Sequence, residues 1–384
     1  MRITWVTRDF LDYRIPVFEE INKLSNNGLT LVFNSEITPQ RCVAKIERIL
    51  GDRAVGLTGE ISIGNKQDKL EFANTTVRIP IQKGLIKAVK NTNPDIIIGD
   101  GFFQWTMSAY WFKIVHNVPL VMLYERTFHT ERIAPWWRSG IRRVFSRFID
   151  KIGCNGVLTY EYVEKAMKFP KERLFMGNMA ADTFGLQQEV LMHRQNLEPV
   201  HKSSTNEFTI LYVGRLIELK GLTEMLMAWK GFVTEAMNVK LKMVGGGIQE
   251  SQLKDLITTE EIKKVDLLGA VDYSEVSKFY ATADIFIIPT LEDNWSLVVP
   301  EAMSCGLPIL CSKYNGCWPE LVTADNGWVF DPLDETNFID TLKTAWERRE
   351  EWEKMGENSV EIVSEYTPEK VAIRINNGLL SVVK

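Results

Sequence analysis

The chain has 384 residues, more than one ordinary hydrophobic core accommodates, so its length predicts two domains. Hydrophobic residues make up 45% and charged residues 25% of the chain, the balance of a soluble globular protein. A formal net charge of −5 argues against a nucleic-acid-binding protein.

The cysteines and the hydropathy pattern predict a cytoplasmic protein. The five cysteines include no C-x-x-C pair, which favours a reducing compartment and a role as small core residues. The first residues run directly into an apolar strand pattern without a secretory signal. No apolar run reaches the roughly 18 residues of a spanning helix.

Strand and helix patterns alternate through the first half. The predicted strands are 3–6, 29–33, 76–79, 95–99, 120–123 and 156–159, and the predicted helices start near 15, 44, 84 and 160. Repeated strand–helix units predict a parallel sheet covered on both faces.

Loops after these strands are candidate site edges, because ligands of doubly wound sheets bind at the carboxyl ends of the strands. The first loop carries Asp12 and Arg14, which either contact an acceptor or donor or belong to a plain surface loop, and Tyr13 lies between them. Another loop carries Phe102, Phe103 and Trp105, which either stack on a sugar or pack in the core; packing is favoured.

The loop after the strand 120–123 is densely charged. Its ionisable residues are Glu125, Arg126, His129, Glu131 and Arg132. So many charges in one short loop need partners or solvent, so the loop is either a site or a solvated turn.

Residues 135–151 form a basic amphipathic pattern. Its apolar residues recur at helical spacing and its cations flank them: Trp137, Ile141, Val144, Phe145 and Phe148, with Arg138, Arg142, Arg143, Arg147 and Lys151. Such a helix either lies on an anionic membrane or packs its apolar face on its own domain. Packing is the favoured interpretation.

A polar stretch separates the two halves. Residues 184–206 are predicted as an interdomain linker, rich in polar residues and containing Pro199. The predicted domains are therefore 1–183 and 207–366, followed by a last helix at 367–384.

The second half opens with a strand at 208–213 and a loop that contains Gly214, Arg215, Lys220 and Gly221. Two cations and a close backbone approach at one strand end would neutralise a diphosphate. The next strand, 239–244, ends in three glycines, Gly245 to Gly247, which also suit a backbone that passes close to a ligand. They do not form the dinucleotide pattern G-x-G-x-x-G.

The stretch 284–308 combines a buried strand, an acidic loop and a short helix. Ile285–Ile288 reads as a strand, Glu292 and Asp293 lie in the loop, and Ser296 is a plausible cap for a helix at 297–305. The start of a helix supplies free N–H groups and partial positive charge, which suit a phosphate. Glu301 lies about one turn into this helix.

Two motifs in this half resemble those of a known family. The patterns are G-R-L-x-x-x-K-G from Gly214, and an acid, Asp293, separated by seven residues from E-A-M-x-C-G-x-P, which starts at Glu301. They resemble the retaining family-4 glycosyltransferases of bacterial exopolysaccharide and lipopolysaccharide synthesis. The resemblance implies the GT-B fold, an α/β architecture of two Rossmann-like domains with parallel sheets facing each other across a cleft. It is strong over 207–384 and extends over 1–183 only in outline.

The resemblance also implies roles for individual residues. Arg215 and Lys220 would bind the diphosphate, Glu301 the ribose hydroxyls, and Asp293 or its neighbour Glu292 the donor sugar. Further donor contacts would come from Gly214, Gly245, Gly246, Ala270, Val271, Asn294, Trp295, Leu297 and Val298. Relatives place a histidine near the donor sugar after the strand 120–123, where this chain has Glu125 and then His129. Acceptor contacts would come from Tyr13, Arg14, Phe102, Arg126 and Arg132.

The function implied is transfer of a hexose from a nucleotide diphosphate sugar, with UDP-glucose as the first candidate, to a glycan or lipid-linked acceptor. The sequence has no D-x-D and no histidine cluster, so neither a metal nor another cofactor is expected. Two alternatives remain: a nucleotide-sugar epimerase of the same fold, and a non-catalytic sugar-nucleotide-binding subunit. A lipid-linked acceptor would favour peripheral contact of 135–151 with the inner face of the plasma membrane.

Overall fold

The computed structural model describes residues 1–63, 79–102, 104–180, 183–196, 207–272 and 275–383. The chain divides into two compact units, Met1–Asp182 with Tyr366–Lys384, and Thr183–Glu365. The final helix thus belongs to the unit formed by the first half of the chain.

The main sheet of the first unit is parallel. Its strands are β1 Ile3–Val6, β2 Leu29–Asn34, β3 Ala54–Leu57, β6 Ile96–Asp100, β7 Leu120–Tyr124, β8 Lys151–Cys154 and β9 Leu174–Met176. Their spatial order is β3-β2-β1-β6-β7-β8-β9, and β4 Ile61–Ile63 pairs antiparallel with β5 Ile79–Ile81 beside it. Successive strands are added on one side of β1 up to β3 and on the other side from β6 onward. At this switch in strand order, Ile3 of β1 pairs with both Leu29 of β2 and Ile96 of β6.

Helices cover both faces of this sheet. They are Ile15–Leu24, Gln40–Leu50, Leu85–Asn91, Met107–His116, Trp136–Ser146, Val157–Glu161 and Pro368–Leu380. One apolar core joins Ile15–Leu24 and Pro368–Leu380 to the sheet, and the other lies beneath Met107–His116. Burial of these apolar faces drives the assembly of the unit.

One strand of the first half was misplaced. The prediction of a strand at 156–159 is wrong, because the strand is Lys151–Cys154 and Val157–Glu161 is helical. Ile152 and Cys154 are fully buried and pair with β7, whereas Val157 and Leu158 are only partly buried. Of the strand predicted at 76–79, only the start of β5 lies within the described residues.

The helix Trp136–Ser146 buries two of its arginines and exposes part of its apolar face. Its arginines Arg138 and Arg142 are buried, while Trp136 is 89% exposed and Val144 51% exposed. Arg142 donates to both carboxylate oxygens of Glu131, at 2.7 and 3.1 Å, and to the Tyr162 hydroxyl at 3.1 Å. The favoured interpretation, in which the apolar face packs on its own domain, is confirmed for Phe145 and Phe148, which pack against the core. It is wrong for Trp137, Ile141 and Val144, which are exposed.

The sheet of the second unit is also parallel. Its strands are β10 Phe208–Val213, β11 Val239–Val244, β12 Val265–Gly269, β13 Ile285–Ile288, β14 Ile309–Ser312 and β15 Gly327–Phe330, in the order β12-β11-β10-β13-β14-β15. Its helices are Phe184–Asn196, Leu222–Phe232, Glu250–Thr259, Val276–Ala281, Val298–Ser304, Trp318–Leu321, Glu335–Glu347 and Trp352–Val363. The linker predicted from residue 184 is therefore helical up to Asn196, with Leu186 and Val190 buried; residues 197–206 lie outside the described part.

Both sheets have the doubly wound order, so the expected α/β class of two Rossmann-like units is confirmed. All five cysteines are buried free thiols, as expected for core residues. Within the described ranges, no helix combines the length and apolar character needed to cross a bilayer.

The Arg142–Glu131 ion pair gives a first prediction. Arg142→Ala leaves the Glu131 carboxylate buried without its partner, and we expect it to lower the free energy of unfolding by about 3–5 kcal/mol. The midpoint of urea unfolding, followed by far-UV circular dichroism, measures this loss. Arg147→Ala, at an exposed position just after the same helix, is the control and should change stability by less than about 0.5 kcal/mol. Equal effects of both substitutions would contradict a stabilising role for the pair.

Candidate active site

The strand order of the second sheet reverses between β10 and β13: β11 and β12 lie on one side of β10, and β13 to β15 lie on the other. The strands β10 and β13 pair directly with one another. Loops that leave the carboxyl ends of two such strands diverge and form the usual ligand crevice of an open α/β sheet. The loop after β10 carries Gly214, Arg215 and Lys220, and the loop after β13 carries Asp293. The topology therefore brings together the two motifs that are some 70 residues apart in sequence.

The glycines after β11 allow three backbone segments to touch. Leu216 N–H donates to Gly246 O at 2.9 Å, and Gly245 N–H donates to Gly269 O at 2.8 Å. Gly245 has φ +147°, and a Cβ there would lie 1.7 Å from Gly214 O. A Cβ on Gly246 would lie 2.9 Å from that of Ala270, so the predicted donor-binding backbone segments are neighbours.

An ion pair joins the two loops. Lys220 Nζ donates to Asp293 Oδ2 at 2.6 Å. The Ser296 hydroxyl donates to the same oxygen at 2.6 Å, and Trp295 N–H donates to Oδ1 at 3.1 Å. Burial favours the protonated acid, but the Lys220 ammonium and these hydrogen bonds outweigh it and hold the pKa of Asp293 below its ordinary value. Asp293 thus positions the lysine.

Ser296 does not cap the following helix. Val298–Ser304 begins after Leu297, without a side-chain cap, and the Ser296 hydroxyl is engaged by Asp293. The predicted cap is wrong because the carboxylate is the stronger acceptor and lies within reach. Leu297 and Val298 remain partly exposed at the start of this helix, where unpaired N–H groups are expected.

Arg215 differs from Lys220 in its surroundings. Its side chain is exposed, and its guanidinium makes no salt bridge within the part of the chain that the structure describes. Its backbone is fixed, because the buried Tyr212 hydroxyl donates to Arg215 O at 2.9 Å. The site therefore offers one lysine held by an acid and one arginine open to solvent.

Glu301 lies in the first turn of Val298–Ser304 and is partly exposed. The hydroxyl of buried Tyr280 lies 3.4 Å from Glu301 Oε2. Of the two acids in the loop before this helix, Glu292 is buried and Asp293 is partly exposed. Which of these two meets a sugar stays a prediction.

Two neighbouring residues have roles other than those expected. The Trp295 indole is buried and donates to Glu320 at 3.0 Å, so this side chain is not presented to a donor. Asn315 was missed: its side-chain oxygen accepts from Ser296 N–H at 3.3 Å, and the residue bridges to Asp293 in parallel pairing. The only signal in the sequence is an Asn-Gly turn after a buried strand. Asn294 lies in the loop after β13, and its carbonyl lies against Gly316.

In the first unit, Arg14 and Asp100 meet where β1 and β6 end. Arg14 Nη1 donates to Asp100 Oδ2 at 2.5 Å, and the Trp5 indole donates to Oδ1 at 3.2 Å. Burial disfavours the charged form of Arg14, but Asp100 and neighbouring groups outweigh this and raise its pKa above the ordinary value. Burial raises the pKa of Tyr13 beside it. Asp100 was not singled out in the sequence, although it ends an apolar strand.

The aromatic loop after β6 is packed into the core. Phe102 is 2% exposed and lies edge-on against Tyr124, with ring centroids 5.2 Å apart, so it has almost no surface for an acceptor. Its predicted acceptor contact is therefore wrong. Trp105 is also buried, and its indole donates to Glu60 at 2.8 Å. Phe103 lies outside the described residues.

The charged loop after β7 separates into a buried and an exposed part. Glu131 is buried in its pair with Arg142, whereas Glu125 and Arg132 are exposed and Arg126 and His129 partly so. Arg132 donates to the His129 carbonyl at 2.6 Å. The sequence pattern thus mixed a structural ion pair with residues that remain accessible.

Among the described residues, no group of three or more His, Cys, Asp or Glu side chains is arranged to hold a metal ion. The positive charges in the loops after β10 and β13 come instead from Lys220 and Arg215. This arrangement is suited to an anionic ligand such as a diphosphate.

Residues 193–361 match the family model described as glycosyl transferases group 1. The match lies within the second unit, Thr183–Glu365. Its matched range includes both the Arg215–Lys220 loop and the Asp293–Glu301 segment.

Curated relatives are also glycosyltransferases by name. The chain is 23% identical over 323 residues to sulfoquinovosyl transferase SQD2 of Arabidopsis thaliana, covering 80% of this chain and 60% of that protein. It is 27% identical over 196 residues to lipopolysaccharide 1,2-N-acetylglucosaminetransferase of Salmonella typhimurium, covering 48% of this chain and 51% of that protein. The chain thus spans between half and two thirds of the length of these two relatives.

A solved structure has the same fold over its whole length. HepE of Anabaena, crystallised in complex with UDP and glucose, aligns with a TM-score of 0.70 at 16% identity and full coverage of both chains. WaaG, described as a glycosyltransferase involved in lipopolysaccharide biosynthesis, aligns over both full chains with a TM-score of 0.63 at 13% identity. The chain therefore has the GT-B fold of these glycosyltransferases.

Gly221, directly after Lys220, gives a second prediction. It has φ +65°, and a Cβ there would lie 2.2 Å from Pro289 O. Gly221→Ala should therefore lower the free energy of unfolding by more than about 2 kcal/mol. Gly185→Ala is the matched control, because its Cβ would meet open space in a helix and should stabilise by up to about 1 kcal/mol. Thermal unfolding of both variants measures the contrast, and a shift of the same sign in both would contradict it.

The lowered pKa of Asp293 gives a third prediction. A lowered folded-state pKa means that the stabilisation is present above the ordinary value of 3.8 and is lost as pH falls. Asp293→Asn should therefore destabilise by about 2 kcal/mol at neutral pH, and the difference from the parent should shrink below about pH 4. Urea unfolding at a series of pH values measures it. The exposed Lys343–Asp340 pair, at 3.6 Å, supplies the control, Asp340→Asn, with an expected effect below about 1 kcal/mol. A difference that does not depend on pH would contradict the argument.

Proposed function

We propose that the protein transfers a hexose from a nucleotide diphosphate sugar to a glycan or lipid-linked acceptor in cell-surface polysaccharide synthesis, with retention at the anomeric carbon. The observation that carries the proposal is that the loop with Arg215 and Lys220 meets the loop with Asp293 beside the paired strands β10 and β13, where Lys220 is held by Asp293 at 2.6 Å. A diphosphate bound there would meet two cations and the start of the helix Val298–Ser304.

The roles of the two cations follow from their contacts. The Lys220 side chain is held in place by the Asp293 carboxylate. The conformational entropy of this side chain is therefore lost on folding and not on binding of the diphosphate. Arg215 is exposed and makes no salt bridge within the described residues, so its planar guanidinium can bind two phosphate oxygens together. In the proposed reaction both charges stabilise the diphosphate as it leaves.

The chemical step transfers one glycosyl group. The bond between the anomeric carbon and the diphosphate oxygen breaks, and its electron pair leaves with the diphosphate. The acceptor hydroxyl oxygen forms the new bond on the same face of the sugar, and its proton passes to the departing phosphate. Glu301 would accept hydrogen bonds from the ribose, and Asp293 or Glu292 from the sugar. We propose that no metal takes part, because fixed cations occupy the place of a metal.

The acceptor is assigned to the first unit. Arg14 and Tyr13 lie at the carboxyl ends of β1 and β6, and Glu125, His129 and Arg132 follow β7. The exposed or partly exposed members of these loops can hydrogen-bond sugar hydroxyls. Arg126, beside Glu125, is the remaining candidate in this group.

UDP-glucose is the first candidate donor. HepE, which has the same fold, is described in complex with UDP and glucose and in complex with UDP-glucose. In this chain, Ala270 and Val271 follow β12 beside the glycine loop, where backbone groups would bind the base. We propose a cytoplasmic site of action, where nucleotide sugars are the donors.

The proposal is tested by incubation of the protein with radiolabelled sugar nucleotides, one at a time, with and without bacterial lipid extract. Arg215→Ala should reduce transfer by about 10²-fold or more, since one preorganised charge at a leaving group has effects of this size. Arg348→Ala, an exposed arginine of the same unit that pairs with Glu351, is the control and should retain full transfer.

Other outcomes separate the alternatives. A free epimer of the sugar nucleotide would indicate an epimerase, and binding without turnover would indicate a non-catalytic subunit. Undiminished transfer by Arg215→Ala would exclude the assigned role of that residue. A thermal-shift panel identifies the donor, because a ligand at about 100 times its dissociation constant adds about 2.7 kcal/mol of stability.

A further inference from the structure

The helix Trp136–Ser146 presents an apolar row and a cationic row to solvent. Trp137, Ile141 and Val144 recur at intervals of four and three residues and are all exposed. Trp136 is 89% exposed at the start of the helix. Arg143 and, just after the helix, Arg147 are exposed beside this row. The surface is therefore apolar along one edge and positive along the next.

A second helix extends the apolar surface. Met107–His116 exposes Met107, Trp111, Ile114 and Val115. The rings of Tyr110 and Phe145 lie 4.9 Å apart, so the two helices are neighbours. Ile114 lies one turn from Tyr110, and Ile141 lies one turn from Phe145, which places their exposed side chains along the same seam. We call the eight exposed apolar residues of the two helices the two-helix surface.

The charges around this surface have one sign. Neither helix contains Asp or Glu, in a chain whose formal net charge is −5. Nearby acids are neutralised within the unit, Glu131 by Arg142 at 2.7 Å and Asp150 by Lys113 at 2.8 Å. The exposed charge beside the apolar rows is thus cationic, which is complementary to an anionic partner.

The orientation of Trp136–Ser146 is held by the interior. Arg138 and Arg142 point inward, and the bidentate contact of Arg142 with Glu131, together with the Tyr162 hydroxyl, fixes this face. A rotation that buried the tryptophans would break these bonds and leave Glu131 buried without its partner. The apolar row of this helix therefore stays in solvent because the buried arginines hold the opposite face inward.

From these observations we infer that the two-helix surface docks on an anionic lipid bilayer, with the two helices lying in the plane of the headgroups. Tryptophan and aliphatic side chains would enter the interface while Arg147 contacts lipid phosphates. Arg143 donates through Nε and Nη2 to Ala166 O and would contact phosphates through its remaining guanidinium nitrogen. Two apolar helices with a cationic border combine the two signals that stable peripheral binding needs. The inference is independent of the proposed transferase activity.

The test is co-sedimentation of the full chain with lipid vesicles. We expect binding to phosphatidylcholine vesicles that contain about 30% phosphatidylglycerol, and at least about tenfold weaker binding to phosphatidylcholine alone. The double variant Trp136→Glu with Ile141→Glu should lose at least about tenfold in binding to the anionic vesicles. Arg147→Glu should weaken binding to anionic vesicles and leave binding to neutral vesicles unchanged.

Leu333→Glu is the matched control, because Leu333 is 63% exposed but belongs to the second unit. It should bind like the parent, and unchanged circular dichroism of all variants shows that they are folded. Equal binding of the double variant and the parent to anionic vesicles would overturn the inference. A second pair of results would also overturn it: the parent protein binds neither kind of vesicle, and it forms a dimer in sedimentation equilibrium that the double variant does not form.

Discussion

The ion pair between Lys220 and Asp293 ties together the two loops on which the second unit's site depends. At 2.6 Å it joins the loop after β10 to the loop after β13, and Ser296 and Trp295 bind the same carboxylate. A charged pair of this kind is stable only where its partners are fixed, and Gly221 supplies the close approach to Pro289 that fixes them. Arg215 is thereby left as the accessible charge beside a rigid lysine.

The first unit applies the same principle at its strand ends. Asp100 is held by Arg14 and Trp5, and Glu60 by Arg8 and Trp105. Burial favours protonation of Glu60, but Arg8 and Trp105 lower its pKa below the ordinary value. These pairs stiffen the loops that we assign to the acceptor. The Arg142–Glu131 pair has a different consequence, since it turns a helix so that tryptophans face solvent.

The sequence predicted most accurately the strands that have an uninterrupted apolar pattern. The strands Phe208–Val213 and Ile285–Ile288 were predicted with the bounds they have, because uninterrupted apolar runs are local signals. The strand Lys151–Cys154 was misplaced, since Val157 and Leu158 continue a hydrophobic pattern that the strand does not use. Trp295 and Phe102 were assigned to ligands, yet both side chains are buried. Composition does not distinguish an aromatic residue in the core from one at a site.

By itself, the sequence determined the doubly wound architecture, the positions of Arg215, Lys220 and Asp293 in loops that follow strands, and that of Glu301 in the next helix. Strand and helix periodicity and short motifs are properties of a single chain segment, so they can be recognised without knowledge of the tertiary structure. Only the tertiary structure decided that Asp293 binds Lys220, that Ser296 serves this pair and not a helix cap, and that Arg142 faces inward. These choices depend on which distant groups meet in a buried environment, where an unpaired charge is too costly to keep.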